Sequence, residues 1–330
     1  MRDKLPAYLI FNRIGKKAVA LITNIAKQSG WDQPLAGRRL YKASAMVRAV
    51  ILYYIKRMRS LDALVSYLKH TPQARRACGF GRYSPSRATL SRFMRYMGYQ
   101  PFETLFYQLV EHMKKLNLVR GRHLAIDSTH VKAWTKRKSK DKHHQDYKLA
   151  KNCDFARLGM TPKGFMPCYR VHIATLTTSE VPVAIEIFPG NIHDRRAFET
   201  ILKRALPQVD KPVAVSADKG YSSGKNRNLI TQAGVACIIR PSNTDLKGRR
   251  LVHFIPKGMS VKTYWRVYWR RNAVERSLAK VKDYCNLRRP RVVNEEPVKQ
   301  HVYLSFICHQ LLVLGSHTLG LAKVCYSLFE

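Results

Sequence analysis

The order of predicted elements after Gly121 constrains the fold more than any other feature of the sequence. The first three predicted elements are strands, at residues 124–126, 169–176 and 181–188, because their residues are apolar or β-branched or alternate with polar ones. A helix, a strand, a helix and a strand are then predicted at residues 194–206, 212–216, 222–234 and 235–239. A last helix is predicted over residues 268–282. A chain with this alternation builds a sheet with helices on its faces.

Strand, strand, strand, helix, strand, helix, strand, helix is the order of an RNase H-like α/β domain. We therefore predict such a domain over residues 121–330, with a mixed five-stranded sheet and flanking helices. Residues 1–120 are predicted to form a separate all-α domain, because apolar side chains such as Met46, Val50 and Tyr54 recur at helical spacing.

A basic helix is predicted near the end of this first domain. Ser84 and Pro85 would supply its N-cap and its first-position proline, and the helix would carry Arg87, Arg92 and Arg95. Residues 1–120 hold 23 Lys and Arg against five Asp and Glu. We expect the helix to bind DNA; a basic helix that only faces solvent is the alternative.

The charge of the whole chain indicates a polyanionic partner. Its 60 Lys and Arg outnumber 21 Asp and Glu, for a formal net charge of +39, and 45% of the residues are hydrophobic, which is enough for a globular core. Each phosphate that such a surface neutralises releases counterions, so nucleic acid is the favoured partner. An acidic membrane surface is the alternative, but the charge is spread along the whole chain.

The cysteines and the apolar segments indicate a reduced, cytoplasmic protein. The seven scattered cysteines include no C-x2-C pair that could anchor a zinc site. No signal peptide is predicted. Polar residues such as His309 and Lys323 interrupt the apolar stretch 302–329, which favours a buried helix pair over a membrane span. We predict a nucleoid-associated location and no membrane partner.

Two aspartates follow predicted strands, and a glutamate lies on the last predicted helix. Asp127 ends the first strand, Asp218 ends the fourth, and Glu275 can pack beside both. Because ligands at the carboxyl ends of strands converge in open α/β sheets, these carboxylates could hold two Mg²⁺ ions, or Mn²⁺, for phosphodiester displacement. Taken singly, each acid could also be a turn residue or a salt-bridge partner.

The glutamate belongs to the motif Y-x2-R-x3-E-x6-K, formed by Tyr268, Arg271, Glu275 and Lys282. At about 100° per residue, one continuous helix would gather these four side chains within a sector of about 60°. The carboxylate could then hold a hard cation while the basic groups hold phosphate oxygens. A solvated helix face with an Arg to Glu pair is the alternative.

Four pieces of the sequence carry a family resemblance. They are IDSTHVKAW at 126–134, PGNIHD at 189–194, ADKGY at 217–221 and the Tyr-Arg-Glu-Lys motif. Over about residues 40–315 the chain resembles DDE transposases of prokaryotic insertion sequences. The resemblance is to the superfamily that carries the Tyr-Arg-Glu-Lys signature and covers insertion-sequence families 4 and 5.

The resemblance implies an RNase H-like fold with the three carboxylates as catalytic triad. It also implies that Tyr268, Arg271 and Lys282 contact backbone phosphate near the cut. The implied activity is hydrolytic nicking at terminal inverted repeats, followed by attack of a 3′-hydroxyl on target DNA, by a dimer on paired ends. A transposase-derived DNA-binding protein that no longer cuts is one alternative. An RNase H-like nuclease or resolvase without strand transfer is the other.

The longest predicted connection between strands is a basic loop at residues 132–168. It carries Lys136, Arg137 and Lys138. We expect this loop to clamp DNA and to become ordered on binding. A disordered, solvated loop is the alternative, and the two interpretations are compatible.

Overall fold

The computed structural model describes residues 5–32, 41–161, 164–288 and 290–321. It divides into two compact units. The first comprises Met1–Met113, Lys280–Arg288 and Glu295–Glu330, and the second comprises Lys114–Ala279 and Arg289–Asn294. The sequence had placed one boundary at residue 120, whereas in the structure the polypeptide returns to the first unit after the second.

The N-terminal part of the first unit is helical, as predicted. The helices described there are α1 (Ile10–Arg13), α2 (Lys16–Gln28), α3 (Ala43–Ile55), α4 (Leu61–His70), α5 (Pro72–Cys78), α6 (Arg87–Met97) and α7 (Gln100–Lys115). The predicted basic helix is α6, but Ser84 does not cap it. The hydroxyl of Ser86 accepts a hydrogen bond from the N–H of Thr89 at 3.1 Å, so the helix begins at Arg87.

The second unit is built around a six-stranded mixed sheet. Its strands are β1 (His123–Lys132), β2 (Arg157–Thr161), β3 (Gly164–Leu176), β4 (Pro182–Pro189), β5 (Ala214–Ala217) and β6 (Ala236–Ile239). In the order β3-β1-β5-β6, strand β1 is antiparallel to β3 and parallel to β5, and β5 is parallel to β6. Strands β2 and β4 both pair with the other edge of β3, β2 with its first residues and β4 with the rest. With helices α8 (Asp194–Ala205) and α9 (Gly224–Gln232) between strands, the predicted RNase H-like fold is confirmed.

The first strand is longer than predicted, so Asp127 lies within β1 and does not end it. The long strand β3 continues the ladder as far as the pair Lys132 and Cys168. Thr129 and Val131 are buried at alternate positions, which is the period of a strand. The sequence did not predict this continuation, because the polar residues Ser128 and His130 interrupt the apolar pattern.

The sheet has a sixth strand because part of the predicted basic loop is itself β-structure. Residues Arg157–Thr161 form β2 and pair with the beginning of β3. The connection that follows β1 is therefore shorter than the predicted loop at residues 132–168.

The helix predicted over residues 268–282 is two helices. After the short helix α10 (Asn243–Leu246), α11 covers Val261–Trp269 and α12 covers Asn272–Tyr284. Between them the chain makes i to i−3 hydrogen bonds, from the N–H of Arg271 to the carbonyl of Tyr268 and from the N–H of Val274 to the carbonyl of Arg271, each 2.9 Å. These tight turns change the helix period without a proline or a glycine.

The last described helix, α13 (Glu295–Thr318), completes the core of the first unit. Its buried polar side chains bond to neighbouring helices: Gln300 donates to the carbonyl of Met94 at 2.9 Å, and Gln310 to that of Phe106 at 3.2 Å. This is the buried helix predicted from residue 302 onward; residues 322–330, with the second helix of the predicted pair, lie outside the described residues. In the described ranges, no helix is long and apolar enough to span a membrane.

Gly190, which follows β4, gives a test of the packing at the edge of the sheet. A Cβ atom there would lie 2.6 Å from the carbonyl oxygen of Cys168 and 2.7 Å from that of Arg157. Because backbone oxygens cannot swing away, we expect Gly190→Ala to lower the free energy of unfolding by about 1 to 3 kcal/mol. Urea denaturation would measure this.

The matched control is Gly224→Ala at the start of α9, where a Cβ meets nothing within 4 Å. Its free energy of unfolding should stay within about 0.5 kcal/mol of the parent value. Equal stability of the two variants would contradict the close packing around Gly190.

Candidate active site

The parallel pairing of β1 with β5 brings two aspartates to neighbouring positions. Ile126 lies opposite Ala217 in the register, and the next residues are Asp127 and Asp218. Asp127 continues along β1, whereas Asp218 follows the end of β5, just before a 3₁₀ helix at Lys219–Tyr221.

The guanidinium group of Arg271 joins Asp127 to Glu275. Its Nη1 lies 3.3 Å from Oδ2 of Asp127, and its Nη2 lies 2.7 Å from Oε1 of Glu275. Arg271 is buried, although half of the Glu275 side chain is exposed. The ion pair is therefore more than the solvated helix contact that was the alternative, because it also includes a carboxylate of the sheet.

The break between α11 and α12 gives Tyr268 a different setting from the one predicted. Its ring is 3% exposed and packs in a core cluster with Tyr264, Ala214 and Ile238. The guanidinium carbon of Arg271 lies 5.6 Å from the centre of that ring. Tyr268 thus packs against Arg271 and lies on a different helix from Glu275. Lys282 lies about two turns beyond Glu275 on α12, in the segment that belongs to the first unit.

Burial makes negative charge on Asp127 unfavourable, and the neighbouring groups compensate for this only in part. Burial is the largest effect and raises the pKa of Asp127 to about 6. The N–H of Ser128, 2.8 Å from Oδ1, and the charge of Arg271 lower the pKa, while Glu275 and Asp218 raise it again. Glu275 and Asp218 thus both act on Asp127, which lies beside the end of β5.

This set of oxygen donors fits a hard divalent cation, which would relieve the repulsion among the carboxylates. In the parts of the chain that the structure describes, no three His, Cys, Asp or Glu side chains are gathered closely enough to form a complete metal cluster. Asp127 and Glu275 are both bound by Arg271, so their oxygens are shared with a guanidinium group.

The sequence matches two protein-family models. One, described as Transposase DDE domain, matches residues 120–311, and the other, described as Transposase domain (DUF772), matches residues 18–96. The first match covers more than half of the chain. The chain belongs to the DDE transposase family. It is a DNA transposase, which is a polynucleotidyl transferase, and the resemblance found in the sequence is confirmed at the level of the family. DDE transposases generally use divalent metal ions.

Two solved structures resemble the transposase at low sequence identity. A cryo-EM structure of a piggyBac transposase synaptic complex with hairpin DNA has a TM-score of 0.47 and 10% identity, covering 98% of this chain and 78% of that chain. A Mos1 transposase paired-end complex with the left transposon end has a TM-score of 0.22 and 12% identity, covering 78% and 83%. No curated protein matches the chain significantly. The assignment therefore rests on the family match.

The three arginines predicted to bind DNA lie on the solvent side of α6 in the transposase. Arg87, Arg92 and Arg95 are exposed, while Leu90 and Phe93 on the same helix are buried. Arg87 is 3.4 Å from an exposed carboxylate of α4. These positions leave the guanidinium groups accessible from solvent.

The basic loop of the transposase has hydrogen bonds of its own. Arg137 donates to the hydroxyl of Tyr147 at 2.7 Å and to the carbonyl of Phe165, and Lys138 lies 2.9 Å from a carboxylate oxygen of Asp146. Lys136 is exposed. Arg137 therefore contributes to the shape of the loop, and of the three predicted basic residues Lys136 has the most accessible charge.

Sequence reasoning missed a group of residues beside the site. The sequence indicated no role for Asp194 beyond the start of the helix predicted at 194–206. In the structure, the imidazole of His193 caps this helix by accepting from the N–H of Arg195 at 3.3 Å. Asp194 instead binds Arg170 and Ser128. Because the chain has few acidic residues, the aspartate of PGNIHD could have been noted as a candidate. Its partners could not have been predicted, because they lie on β1 and β3, far away in sequence.

The raised pKa of Asp127 predicts the effect of removing its charge. Because the folded-state pKa of about 6 lies above the reference value of 3.8, the neutral carboxyl favours the folded state. This stabilisation is complete below about pH 4 and is lost as pH rises through 6. In the presence of a chelator, Asp127→Asn should therefore raise the free energy of unfolding at pH 8 by up to about 3 kcal/mol and change it little at pH 4.

Thermal unfolding of both proteins at the two pH values would measure the difference. Asp210→Asn, at an exposed aspartate of the same unit, should change the unfolding temperature at neither pH. A lower unfolding temperature of Asp127→Asn at pH 8 would mean that the ion pair with Arg271 outweighs the cost of burial.

Proposed function

We propose that this transposase binds the terminal inverted repeats of an insertion sequence, nicks the DNA there and joins the freed 3′-hydroxyl ends to target DNA. Asp127, Asp218 and Glu275 are its catalytic carboxylates. The observation that supports this most directly is the register of β1 and β5, which places Asp127 beside Asp218. Glu275 is connected to the same place through Arg271.

The three carboxylates are proposed to hold two Mg²⁺ ions, or Mn²⁺. When bound, the ions would activate the attacking oxygen and stabilise the leaving oxygen of an in-line displacement. Arg271, which lies between Asp127 and Glu275, can bind a phosphate oxygen of the scissile strand by its planar fork of donors. Tyr268 holds Arg271 in place, and Lys282 binds backbone phosphate further along α12.

The remaining DNA contacts are assigned to exposed basic groups. Arg87, Arg92 and Arg95 on α6 lie in the segment that matches the transposase domain model at residues 18–96, and we assign them to recognition of the transposon end. The basic loop, with Lys136, Arg137 and Lys138, clamps the duplex. We further propose that the transposase acts as a homodimer on paired ends, because the two ends of an element must be cut together. We also propose a nucleoid-associated location, because its DNA substrate is in the nucleoid.

Cleavage of a labelled end tests the catalytic assignment. The substrate is a duplex that carries the inverted repeat flanking the reading frame, with Mg²⁺ or with a chelator. Asp127→Asn, Asp218→Asn and Glu275→Gln should each lower the nicking rate about 100-fold or more, since each removes a metal ligand. Glu199→Gln, at an acid on α8 that pairs with two lysines, should cut like the parent. Normal nicking by the three variants would refute the assignment.

The same reaction separates the alternatives. A transposase-derived binding protein would shift the labelled duplex in a gel without any Mg²⁺-dependent nick. A nuclease or resolvase would nick it but would give no product joined to an added plasmid. The proposal expects both the nick and the joined product.

The salt dependence of DNA binding tests the clamp. Lys136, Lys140 and Lys142 are exposed in the loop, and replacing them with Ala keeps the hydrogen bonds of Arg137. The slope of log K against log salt should decrease by about 0.9 for each phosphate that the variant no longer neutralises. Replacing Lys203, Lys225 and Lys257 with Ala removes the same charge elsewhere in the second unit. An equal decrease in both triple variants would contradict a specific clamp.

A further inference from the structure

Behind β1 lies a polar network that the catalytic proposal does not use. Successive residues of a strand point to opposite faces of the sheet, so Ser128 faces away from Asp127. Its hydroxyl donates to Oδ1 of Asp194 at 3.0 Å and accepts from Nε of Arg170 at 3.1 Å. Arg170 also donates through Nη2 to Oδ2 of Asp194 at 2.6 Å. The three side chains form a closed ring of bonds.

The same carboxylate lies against the loop that carries the second catalytic aspartate. A Cβ atom on Gly220, two residues after Asp218, would be 2.9 Å from Oδ2 of Asp194. The next residue, Tyr221, is completely buried, and its hydroxyl is 2.8 Å from Nδ1 of His172 on β3. The absence of a side chain at Gly220 thus allows Asp194 to approach this loop closely.

Asp194 is placed to support the site and not to bind metal itself. Its side chain is 14% exposed and that of Arg170 is 19% exposed. Both carboxylate oxygens of Asp194 already accept charged or hydroxyl donors. A buried ion pair of this kind is costly to break from one side, because the remaining charge is left uncompensated. It therefore fixes the backbone segments that it joins.

We propose that Asp194 is a positioning residue for the metal site. Through Ser128 it fixes β1 at Asp127, and through Gly220 it fixes the loop at Asp218, so the two ligands keep a constant separation. The strand before Asp218, Ala214–Ala217, has only four residues, and Tyr221 anchors the far side of the loop through His172. The contact at Gly220 lies between these two anchors. The inference rests on the proposed function of the carboxylates.

Binding of Mn²⁺ to the full chain without DNA, measured by titration calorimetry, tests the inference. Asp194→Asn keeps the size of the side chain but removes the charge that holds Arg170, and we expect affinity for Mn²⁺ to fall about 10-fold or more. Glu199→Gln removes one charge from the same helix and should stay within about twofold of the parent. In nicking assays, Asp194→Asn should lower kcat and leave KM for DNA unchanged.

A double-mutant cycle tests the contact with the Asp218 loop. In the parent, Gly220→Ala places a methyl group 2.9 Å from Oδ2 of Asp194 and should weaken Mn²⁺ binding several-fold. In the Asp194→Ala background the nearest remaining atom of that side chain, its Cβ, is at an ordinary 3.8 Å. There Gly220→Ala should have no further effect. Additive effects of the two substitutions would overturn the proposed contact.

If Asp194→Asn does not fold, Ser128→Ala decides the matter, because it removes only the hydroxyl. It should weaken Mn²⁺ binding by about threefold or more, and unchanged binding would overturn the inference. If Mn²⁺ binding is lost in Asp127→Asn but unchanged in Asp194→Asn, the role of Asp194 is overturned and the proposed metal site stands. Mn²⁺ binding that does not need Asp127 would overturn the proposed metal site, and the inference with it.

Discussion

The parallel ladder between β1 and β5 is the interaction on which the arrangement of the site depends. It sets Ile126 against Ala217, and this register determines which residues come next to each other. A slip of one residue would turn every side chain of the strand to the other face of the sheet. Asp127 would then face Arg170 and Asp194, where Ser128 now lies, and Ser128 would take its place beside Arg271. The chemistry of the site is thus set by backbone hydrogen bonds that carry no charge.

A second consequence of this geometry is electrostatic repulsion of Asp127 by Glu275 and Asp218. The sheet holds Asp127 away from water, while Glu275 and Asp218 add negative charge to its surroundings. Arg271 relieves part of this repulsion by pairing with Asp127 and Glu275, and its side chain also packs against the ring of Tyr268. The site is therefore organised around a position where positive charge is favourable. Tyr268, whose ring is buried, packs against the guanidinium group of Arg271 from α11.

Much of this could be predicted from the sequence, and the failures have physical causes. Apolar and β-branched patterns identified β4, β6 and the part of β3 from residue 169 onward, because such patterns are local. The continuation of β1 was missed since Ser128 and His130 look like turn residues until β3 is known to pair with them. The break after Trp269 was missed because 3₁₀ turns need no special residue. The partners of Asp194 lie 24 and 66 positions away, beyond any local pattern.

The helix α13 gives the order of synthesis a structural meaning. Its side chains bond to α3, α6 and α7, as in the pair of Tyr54 and His301 at 2.8 Å. The first unit therefore cannot close its core until the ribosome has passed residue 318 and has already made the second unit. A chain cut short by a frameshift or a nonsense codon before α13 would expose to solvent the apolar side chains that α13 covers. A chain that ends before α13 therefore lacks part of the core of its first unit.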